Sequence, residues 1–407
     1  MKNFSGNLEL MHEINTKQIL RVIRQHSPIS RSEIVEMTNL TAATVSRITG
    51  KLINCGLVKE TGYGVSSGGR KPVLLELDLD SVLTVGIDIE IDEITGIVID
   101  LAGKVLSKDR SSIKGKMEQD YILKQVRLII GKLLENNDFK QKIIGIGIGM
   151  HGLVDYTHGI SIYPPAFGWE NVQVVDLVQK EFDLPVILEN NVRALTFAEY
   201  WFGAAKKFNN FICLKVGAGI GSAVFIDGHL YRGGSNAAGE IGHNMVDENG
   251  LICTCGKYGC LESMASIPAL VKRTLKALEQ GAVSDILQEK LPALNEKHIF
   301  LAAEQGDPLA REILEETGSY LGIGVASIVN ILNPEAVIIC GEIITAGEIV
   351  LRSLRSTVSN RALAYPVKHL EIIKSDLGKD GVAIGAAVLI MESIFSIDRE
   401  ITIDIGI

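Results

Sequence analysis

The sequence contains no unbroken apolar run of about 18–20 residues, the length that a helix needs to cross a bilayer. Its first ten residues are mostly polar and lack the apolar stretch of a secretory signal peptide. These absences argue against a spanning helix and against a cleaved export signal. We therefore expect a cytoplasmic protein without a membrane partner.

Cysteine is scarce, with six residues in a chain of 407, which excludes the dense disulfide framework of a small secreted domain. Three of the six are nevertheless crowded into eight positions, at Cys253, Cys255 and Cys260. Such clustering in a cytosolic chain is typical of a metal site rather than of disulfide pairing.

Charge is modest in amount and unevenly spread. Charged residues make up 22% and hydrophobic residues 46% of the chain, a balance typical of folded domains. The net charge is −9, yet residues 1–72 hold ten Lys and Arg against five Asp and Glu, so this head carries +5 and the rest −14. A basic head on an acidic body suggests that only the head meets a polyanion, although chance can also produce such a segment.

The basic head shows the pattern of three short helices. Apolar residues at helical spacing predict a first helix over 16–26. Ser30 followed by Glu33 is a capping box for a second helix, and Thr41 caps a third that runs to about residue 54. Two short helices joined by a tight turn indicate a helix-turn-helix, whose second helix enters the DNA major groove.

The outward face of the third helix is the predicted base-reading surface. Small side chains there can contact thymine methyls, and hydroxyls and basic groups can reach base edges or phosphates. The residues predicted for this face are Ala43, Thr44, Ser46, Arg47 and Lys51.

A hairpin follows the third helix. Residues 57–60 and 73–77 have the pattern of two strands, joined by a turn rich in Gly and Ser. Arg70 and Lys71 stand near the tip, where they can enter the minor groove or hold phosphates. The pattern predicts a winged helix-turn-helix domain over residues 1–78, and the alternative is a solvated hairpin in a small helical domain.

The body shows one strand pattern twice. Strands at 84–89 and 95–100 open the first half, ahead of an amphipathic helix at 119–136 and a buried strand at 143–148. Strands with a glycine-rich turn open the second half at 211–226. Two copies predict a two-lobed α/β fold with a ligand in the cleft. We place the lobes at 79–200, with a C-terminal return at about 385–407, and at 201–384.

A histidine precedes the cysteine cluster and completes a ligand set. His243, Cys253, Cys255 and Cys260 offer one nitrogen and three sulfurs, a common set for structural zinc. Four protein ligands fill a tetrahedron, so we predict one structural Zn²⁺ per chain and no open catalytic position. The alternative is three buried thiols beside a hydrogen-bonded histidine.

These motifs resemble a known family. The run 239–243, Gly-Glu-Ile-Gly-His, followed by the cysteine run 253–262, is similar to the signature of the ROK proteins, the repressors, open reading frames and kinases. The segment 68–72, Gly-Gly-Arg-Lys-Pro, resembles the repressor branch, and the resemblance extends from about residue 15 to residue 388. It implies a ribonuclease-H-like, actin-like ATPase body of the sugar-kinase type with a winged helix attached.

The resemblance also implies sugar-binding residues. It makes Glu240, His243 and Glu262 ligands of sugar hydroxyls, since a carboxylate accepts from a hydroxyl and the second ring nitrogen of a metal-bound histidine can donate. Asn190 and Asn191 can also bind hydroxyls, because an amide both donates and accepts. For each glutamate alone, a solvated surface charge is the alternative.

Two departures from the kinases of this family argue against catalysis. Those kinases hold phosphate with an Asp-x-Gly-Gly-Thr hairpin, whereas residues 88–92 read Asp-Ile-Glu-Ile-Asp, with bulk and negative charge at that place. They use an aspartate as general base where this chain has Asn191, whose amide cannot take a proton. The departures concern different steps and are treated as independent, and together they predict that the chain is not an enzyme. The glycine run 217–221 survives, but it equally suits hairpin packing.

The combined prediction is a repressor that binds operator DNA and releases it when a sugar closes the two lobes. The resemblance weakly favours xylose, with N-acetylglucosamine and glucose as competing effectors, and Trp169 either stacks on the sugar or belongs to the core. Reading two half-sites implies a homodimer or a higher oligomer. Two other functions stay open: an active ROK sugar kinase with an appended DNA-binding head, and a regulator held by a protein of a transport system.

Overall fold

The computed structural model describes residues 8–65 and 71–395. The chain forms two compact units, one that ends at Ala194 and resumes at Val382, and one that runs from Leu195 to Gly381. Residues of the head and of the first lobe belong to the same unit. Within the described ranges, no helix combines the length and the apolar character needed to cross a membrane.

The head contains three helices and a three-stranded antiparallel sheet. The helices are α1 Leu8–His26, α2 Arg31–Thr38 and α3 Ala42–Asn54, and the strands are β1 Ile29–Ser30, β2 Val58–Tyr63 and β3 Val73–Leu77. The strand order is β1-β3-β2. Ile19, Ile34 and Leu52 are fully buried where the three helices pack together. The predicted helix-turn-helix and hairpin are both confirmed, and β1 and the first two turns of α1 add to them.

Capping bonds fix the start of α2 and of α3. The Ser30 hydroxyl accepts from the Glu33 backbone N–H at 3.3 Å, and the Glu33 carboxylate accepts from the Ser30 N–H at 2.8 Å. This confirms the predicted capping box. Thr41 Oγ1 likewise accepts from the Thr44 backbone N–H at 3.2 Å, as predicted. Asn39, with a φ of 56°, makes the short turn between the two helices because Asn tolerates the left-handed conformation.

The first lobe is built on a five-stranded sheet with the order β10-β7-β4-β5-β6. Its strands, with a small separate hairpin β8–β9, are β4 Leu83–Ile89, β5 Glu93–Asp100, β6 Val105–Ser112, β7 Ile143–Met150, β8 Leu153–Asp155, β9 Ile160–Tyr163 and β10 Val186–Asn190. The helices that follow in this part of the chain are α4 Gln119–Leu134, α5 Asn137–Lys140, α6 Val174–Phe182 and α7 Asn191–Trp201. Strands β4, β5 and β6 are antiparallel, whereas β7 is parallel to β4.

The second lobe repeats this topology with the order β13-β12-β11-β14-β15. Its strands are β11 Phe211–Val216, β12 Ile220–Ile226, β13 His229–Tyr231, β14 Ala336–Cys340 and β15 Glu371–Lys374. Its helices are α8 Leu261–Ala265, α9 Ile267–Glu279, α10 Asp285–Gln288, α11 Glu296–Glu304, α12 Pro308–Leu332, α13 Glu348–Arg361 and α14 Ala364–His369. Again three antiparallel strands precede one that pairs in parallel with the first, so the predicted internal repeat is confirmed.

The last described helix, α15 Gly381–Phe395, packs against the first-lobe sheet through glycines of that sheet. A Cβ at Gly86 on β4 would overlap the Ala383 carbonyl, and a Cβ at Gly147 on β7 would overlap the Ala386 carbonyl. The two strands lack side chains at these points, and the helix backbone therefore lies directly on the strands. Close packing of this kind leaves no room for a larger residue at either position.

Candidate functional site

The four predicted metal ligands lie together in the second lobe. One ligand atom each from His243, Cys253, Cys255 and Cys260 lies within 4.8 Å of all the others. The Sγ atoms of Cys255 and Cys260 are 3.7 Å apart, and Cys253 Sγ is 3.7 Å from His243 Nδ1. Tetrahedral zinc with Zn–S bonds of about 2.3 Å would separate two sulfurs by about 3.8 Å. The cluster can therefore bind a four-coordinate metal ion.

Tight turns bring the ligands together. His243 ends the 3-10 turn Ile241–His243, and Cys260 directly precedes α8. The Cys253 N–H donates to the Lys257 carbonyl at 2.7 Å, which closes the loop that carries Cys255. Gly259 has a φ of +64°, and a Cβ there would overlap the Asp247 carbonyl, so this turn requires glycine.

The protein environment shifts the pKa values of two neighbouring thiols, Cys255 and Cys260, in opposite directions. The backbone N–H of Lys257 stabilises the thiolate of Cys255 and lowers its pKa to about 7. Burial raises the pKa of Cys260 to about 12, because its thiolate would lie away from water. Nδ1 of His243 faces Cys253, which leaves Nε2 as the ring nitrogen that can donate to a ligand hydroxyl.

Glu262 lies beside this cluster and against the surviving glycine turn. Its Oε2 accepts from the Ile220 backbone N–H at 3.0 Å, and its Oε1 lies 3.9 Å from Cys253 Sγ. A Cβ at Gly219 would lie 2.7 Å from Glu262 Oε2. Gly219 thus allows the Glu262 carboxylate to reach the turn. This is a packing role, the alternative to phosphate binding that the sequence pattern left open for the glycine run.

The other end of this turn also meets a carboxylate. A Cβ at Gly217 would overlap Oε2 of Glu342, the residue that opens the 3-10 turn after β14. The glycine turn is therefore flanked by two acidic side chains, Glu342 and Glu262. Negative charge on both sides disfavours a phosphate group at this turn.

Glu240, the third predicted sugar ligand near the metal cluster, is exposed. Its carbonyl accepts from the His243 backbone N–H at 3.2 Å, so the two residues share one turn. His243 and Glu262 are half-buried and both flank Cys253. The second lobe therefore places the His243 and Glu262 side chains at Cys253, and Glu240 lies in the same turn as His243.

Asn191 lies at the start of α7 in the first lobe, where it is 6% exposed. Its Nδ2 donates to Oε1 of Glu90 at 3.4 Å. Glu90 belongs to the β4–β5 turn, where its backbone N–H donates to the Glu93 carbonyl at 3.1 Å. The two departures from the kinase pattern, at Glu90 and Asn191, are thus in direct contact. The prediction that they are independent of each other was wrong.

Asn190 uses most of its amide within the protein. Its Oδ1 accepts from the backbone N–H groups of Val192 and Arg193 at 2.9 and 3.3 Å, and its Nδ2 donates to the Gly152 carbonyl at 3.0 Å. It is therefore an N-cap of α7 and leaves one amide hydrogen for a ligand. The signal for this role was in the sequence, since Asn directly before a helix is a preferred cap.

Trp169 belongs to the first-lobe core. It is 7% exposed and packs edge-to-face on Phe167, with ring centroids 5.2 Å apart. Phe167 in turn packs on His151 at 4.6 Å. Of the two possibilities considered for Trp169, the structure supports the core position.

The predicted DNA-reading face of α3 is open to solvent. Its exposed residues are Ala43, Ser46, Arg47 and Lys51. Thr44 is half-exposed, and its hydroxyl lies 2.9 Å from the Thr41 hydroxyl. The opposite face carries buried Val45 and Ile48. The helix is therefore amphipathic in the orientation that the pattern predicted.

Residues near this face were partly missed from the sequence. Lys51 Nζ lies 3.2 Å from Nε2 of His12 on α1, and His12 Nδ1 lies 3.0 Å from the Thr16 hydroxyl. The first helix therefore borders the predicted DNA surface. Of the two wing residues, Lys71 is exposed, and Arg70 lies outside the described residues.

Comparison with known proteins agrees with the two-part organisation. Residues 84–393 match the ROK family, and residues 13–59 match the winged helix-turn-helix DNA-binding domain. This chain belongs to the ROK family. A relative named xylose repressor, from Caldicellulosiruptor bescii, is 35% identical over 96% of this chain and 98% of its own length.

Solved structures of ROK proteins share this fold. A ROK family transcriptional regulator, a homologue of the E. coli MLC protein, matches with a TM-score of 0.85 and 28% identity over 95% of this chain and 97% of its own. A ROK family glucokinase from Streptomyces griseus, in complex with glucose and AMPPNP, matches with a TM-score of 0.68 and 30% identity over 75% of this chain and 98% of its own. The predicted fold, a winged helix-turn-helix on a ROK sugar-kinase-type body, is confirmed.

Proposed function

We propose that this ROK protein is a transcriptional repressor that binds operator DNA through its winged helix and releases the DNA when a sugar binds its body. The proposal depends on two features that occur in one chain. The head presents α3 to solvent, and the ROK body carries Glu90, in contact with Asn191, in the β4–β5 turn where the kinases of the family hold phosphate. The full-length similarity to a xylose repressor supports it and puts xylose first among the effectors. Glucose and N-acetylglucosamine are the next sugars to test.

The sugar is held by carboxylates, one imidazole and amides. Glu240 and Glu262 accept from hydroxyls, and His243 donates through Nε2. In the first lobe, the hydroxyl-binding residues of this proposal are Asn191 and, with its one remaining amide hydrogen, Asn190. This residue set suits a neutral polyol better than a phosphorylated ligand, because it contains no cationic side chain to offset a phosphate charge.

The metal in this proposal is a single structural zinc ion. A ligand set of one imidazole and three thiols is typical of zinc, and the spacing of the ligand atoms suits tetrahedral coordination. The ion would hold the loop between His243 and Cys260 in shape and fix the ring of His243. Glu262, two residues after the last ligand, depends on the same loop.

Catalysis is not part of the proposed function. Glu90 stands in the turn that holds phosphate in the kinases of this family, and Asn191 stands at the place of their base. The carboxylates of Glu262 and Glu342 flank the remaining glycine turn. Phosphoryl transfer relies on positioning and charge stabilisation, and these groups oppose both.

The remaining parts of the proposal concern organisation. We place the winged helix at 1–78 and the two lobes at 79–200, with the return at about 385–407, and at 201–384. A palindromic operator would be read by a homodimer, since half-sites about 34 Å apart need two recognition helices. The protein acts in the cytoplasm, where its operator is.

The DNA-binding part is tested by charge removal at the wing. An operator is first selected from a random duplex pool with the purified protein. Arg70→Ala with Lys71→Ala is expected to weaken binding and to reduce the slope of log K against log salt by about 1 for each phosphate that the protein no longer neutralises. Lys114→Ala with Lys116→Ala removes the same charge from exposed positions of the body and is the matched control. Equal slopes for the two variants would remove the wing from the proposal.

The sugar response is tested by a thermal-shift screen of pentoses and hexoses, followed by operator release with each sugar that binds. Xylose is expected to raise the melting temperature and to weaken operator binding. ATP-dependent phosphorylation of a sugar would favour the kinase with a DNA-binding head. Operator binding that no free sugar changes would favour regulation by a protein of a transport system.

A further inference from the structure

Glu90, which is half-buried, and Asn191, which is buried, form a contact between a turn and a helix start. Oε1 of Glu90 accepts from Nδ2 of Asn191 at 3.4 Å. An ionised carboxylate only accepts hydrogen bonds, so the nitrogen side of the amide has to face it. The orientation of the Asn191 amide is thereby fixed by chemistry, with Oδ1 on the side away from Glu90.

This orientation decides how Asn191 meets a hydroxyl. One hydrogen of Nδ2 is used by Glu90, while the carbonyl oxygen Oδ1 keeps both lone pairs. We propose that Glu90 is a positioning residue for the effector, because it orients the Asn191 amide so that Oδ1 accepts a hydrogen bond from a sugar hydroxyl. The inference rests on the proposed function, since it needs a sugar beside Asn191.

The consequence is recognition of a hydroxyl without its deprotonation. An amide oxygen accepts the hydroxyl hydrogen, but it is far too weak a base to remove it. The ligand class is therefore a neutral sugar that presents a free hydroxyl donor to Asn191. A deoxy or O-methyl analogue at that hydroxyl has no hydrogen to donate and leaves Oδ1 without its partner.

The same contact opposes a return to the kinase residue. Asn191→Asp would place a second carboxylate next to Glu90, with one oxygen at about the position of Nδ2. Two carboxylates at that separation cannot both stay ionised and in place, so the oxygen that would meet the ligand is displaced or protonated. Glu90→Gln removes the repulsion, because a glutamine amide can donate to a carboxylate at position 191 and can also accept from the native amide.

The experiment measures xylose affinity by calorimetry for the full-length protein and five variants. They are Glu90→Gln, Glu90→Ala, Asn191→Asp, the double variant Glu90→Gln with Asn191→Asp, and Glu93→Gln as the control. Glu93 belongs to the same hairpin, but its Oε1 lies 3.5 Å from Arg110 Nη1. Melting temperatures without sugar are recorded for all of them.

Glu90→Gln is expected to stay within about threefold of the wild type, because an acceptor remains, and Glu90→Ala to bind about tenfold more weakly. Asn191→Asp is expected to bind at least about thirtyfold more weakly, and Glu90→Gln to recover most of that affinity in the double variant. Glu93→Gln should bind like the wild type.

Two results would overturn the positioning role. One is that Asn191→Asp weakens binding by the same factor whether or not Glu90→Gln is also present. The other is that Glu90→Gln weakens binding as much as Glu90→Ala. Either result, obtained with a wild type that binds xylose, leaves the proposed function intact. A wild type that binds none of xylose, glucose and N-acetylglucosamine overturns the proposed function as well.

Discussion

The two lobes open with the same hairpin, yet the two hairpin turns differ in almost every side chain. The first-lobe turn between β4 and β5 carries Glu90, Ile91 and Asp92, and it contacts α7 through Asn191. The second-lobe turn between β11 and β12 keeps glycines at 217 and 219. Judged by glycine content alone, the first lobe would have lost a phosphate site and the second lobe would have kept one.

The neighbours of the two turns change that conclusion. In the first lobe the acidic group belongs to the turn itself, as Glu90. In the second lobe the acidic groups come from outside, because Gly217 and Gly219 face Glu342 and Glu262. Both turns therefore have acidic surroundings, which arise by different routes. A glycine motif thus indicates that some group approaches the backbone closely. In the second-lobe turn that group is a carboxylate.

The largest expected effect comes from removing the metal loop that supports the second turn. Cys255→Ser should lose the bound zinc, which elemental analysis is expected to find at one per chain in the wild type. The melting temperature should fall by roughly 2–4 °C for each kcal/mol of metal-linked stability that is removed. The sugar response should disappear as Glu262 and His243 lose their support, whereas the first turn should be unaffected.

Cys55→Ser provides the control for this prediction. Cys55 is also exposed, but its Sγ donates to the Leu52 carbonyl in the head and lies outside the cluster. The control should keep its zinc and its melting temperature. A metal-free wild type that still responds to sugar would contradict the role given to the loop.

A smaller effect is expected from filling the second turn. Gly219→Ala pushes Glu262 away from the Ile220 N–H, and sugar affinity should fall about tenfold, or ~1.4 kcal/mol. The melting temperature should change little, because the displaced atom is the end of a flexible side chain. Gly217→Ala displaces Glu342 instead and is the matched control. Equal decreases of affinity in the two variants would show that the turn itself, and not Glu262, binds the ligand.

The smallest expected signal is phosphoryl transfer. The wild type should show no sugar-dependent ATP hydrolysis, and Asn191→Asp should not create it, because Glu90 stays beside residue 191 and both turns remain acidic. A coupled ATPase assay with xylose, glucose and N-acetylglucosamine measures this. Turnover above about 1 s⁻¹, within the usual kinase range, would replace the repressor proposal by the enzyme.

Local features of the fold were the most predictable from the sequence. The Ser30 and Thr41 caps follow from side chains that bond to backbone groups three residues away, and the metal ligands cluster in the chain as they do in space. The two-residue strand β1 is too short to show an alternating pattern, and it forms only because β3 offers a partner. The formation of β1 therefore depends on long-range pairing with β3, and the local sequence pattern could not predict it.

Side-chain partners within the candidate site were less predictable. Asn190 and Asn191 are neighbours of the same type, yet one caps α7 and the other bonds to Glu90, 101 residues away in the chain. Nothing in the local pattern distinguishes them. Glu90 was predicted only as an obstacle to phosphate, because its partner depends on how β4 and β10 align on either side of β7.

Helix α15 connects parts of the chain that the sequence separates. It begins where the second unit ends, lies on β4 and β7 at Gly86 and Gly147, and ends with Phe395, whose ring lies 5.6 Å from the guanidinium of Arg24 on α1. Fifteen residues make a rod about 22 Å long. The helix is thus held against the first-lobe sheet near its start and against the DNA-binding head at its end, so one rigid element contacts both parts of the chain.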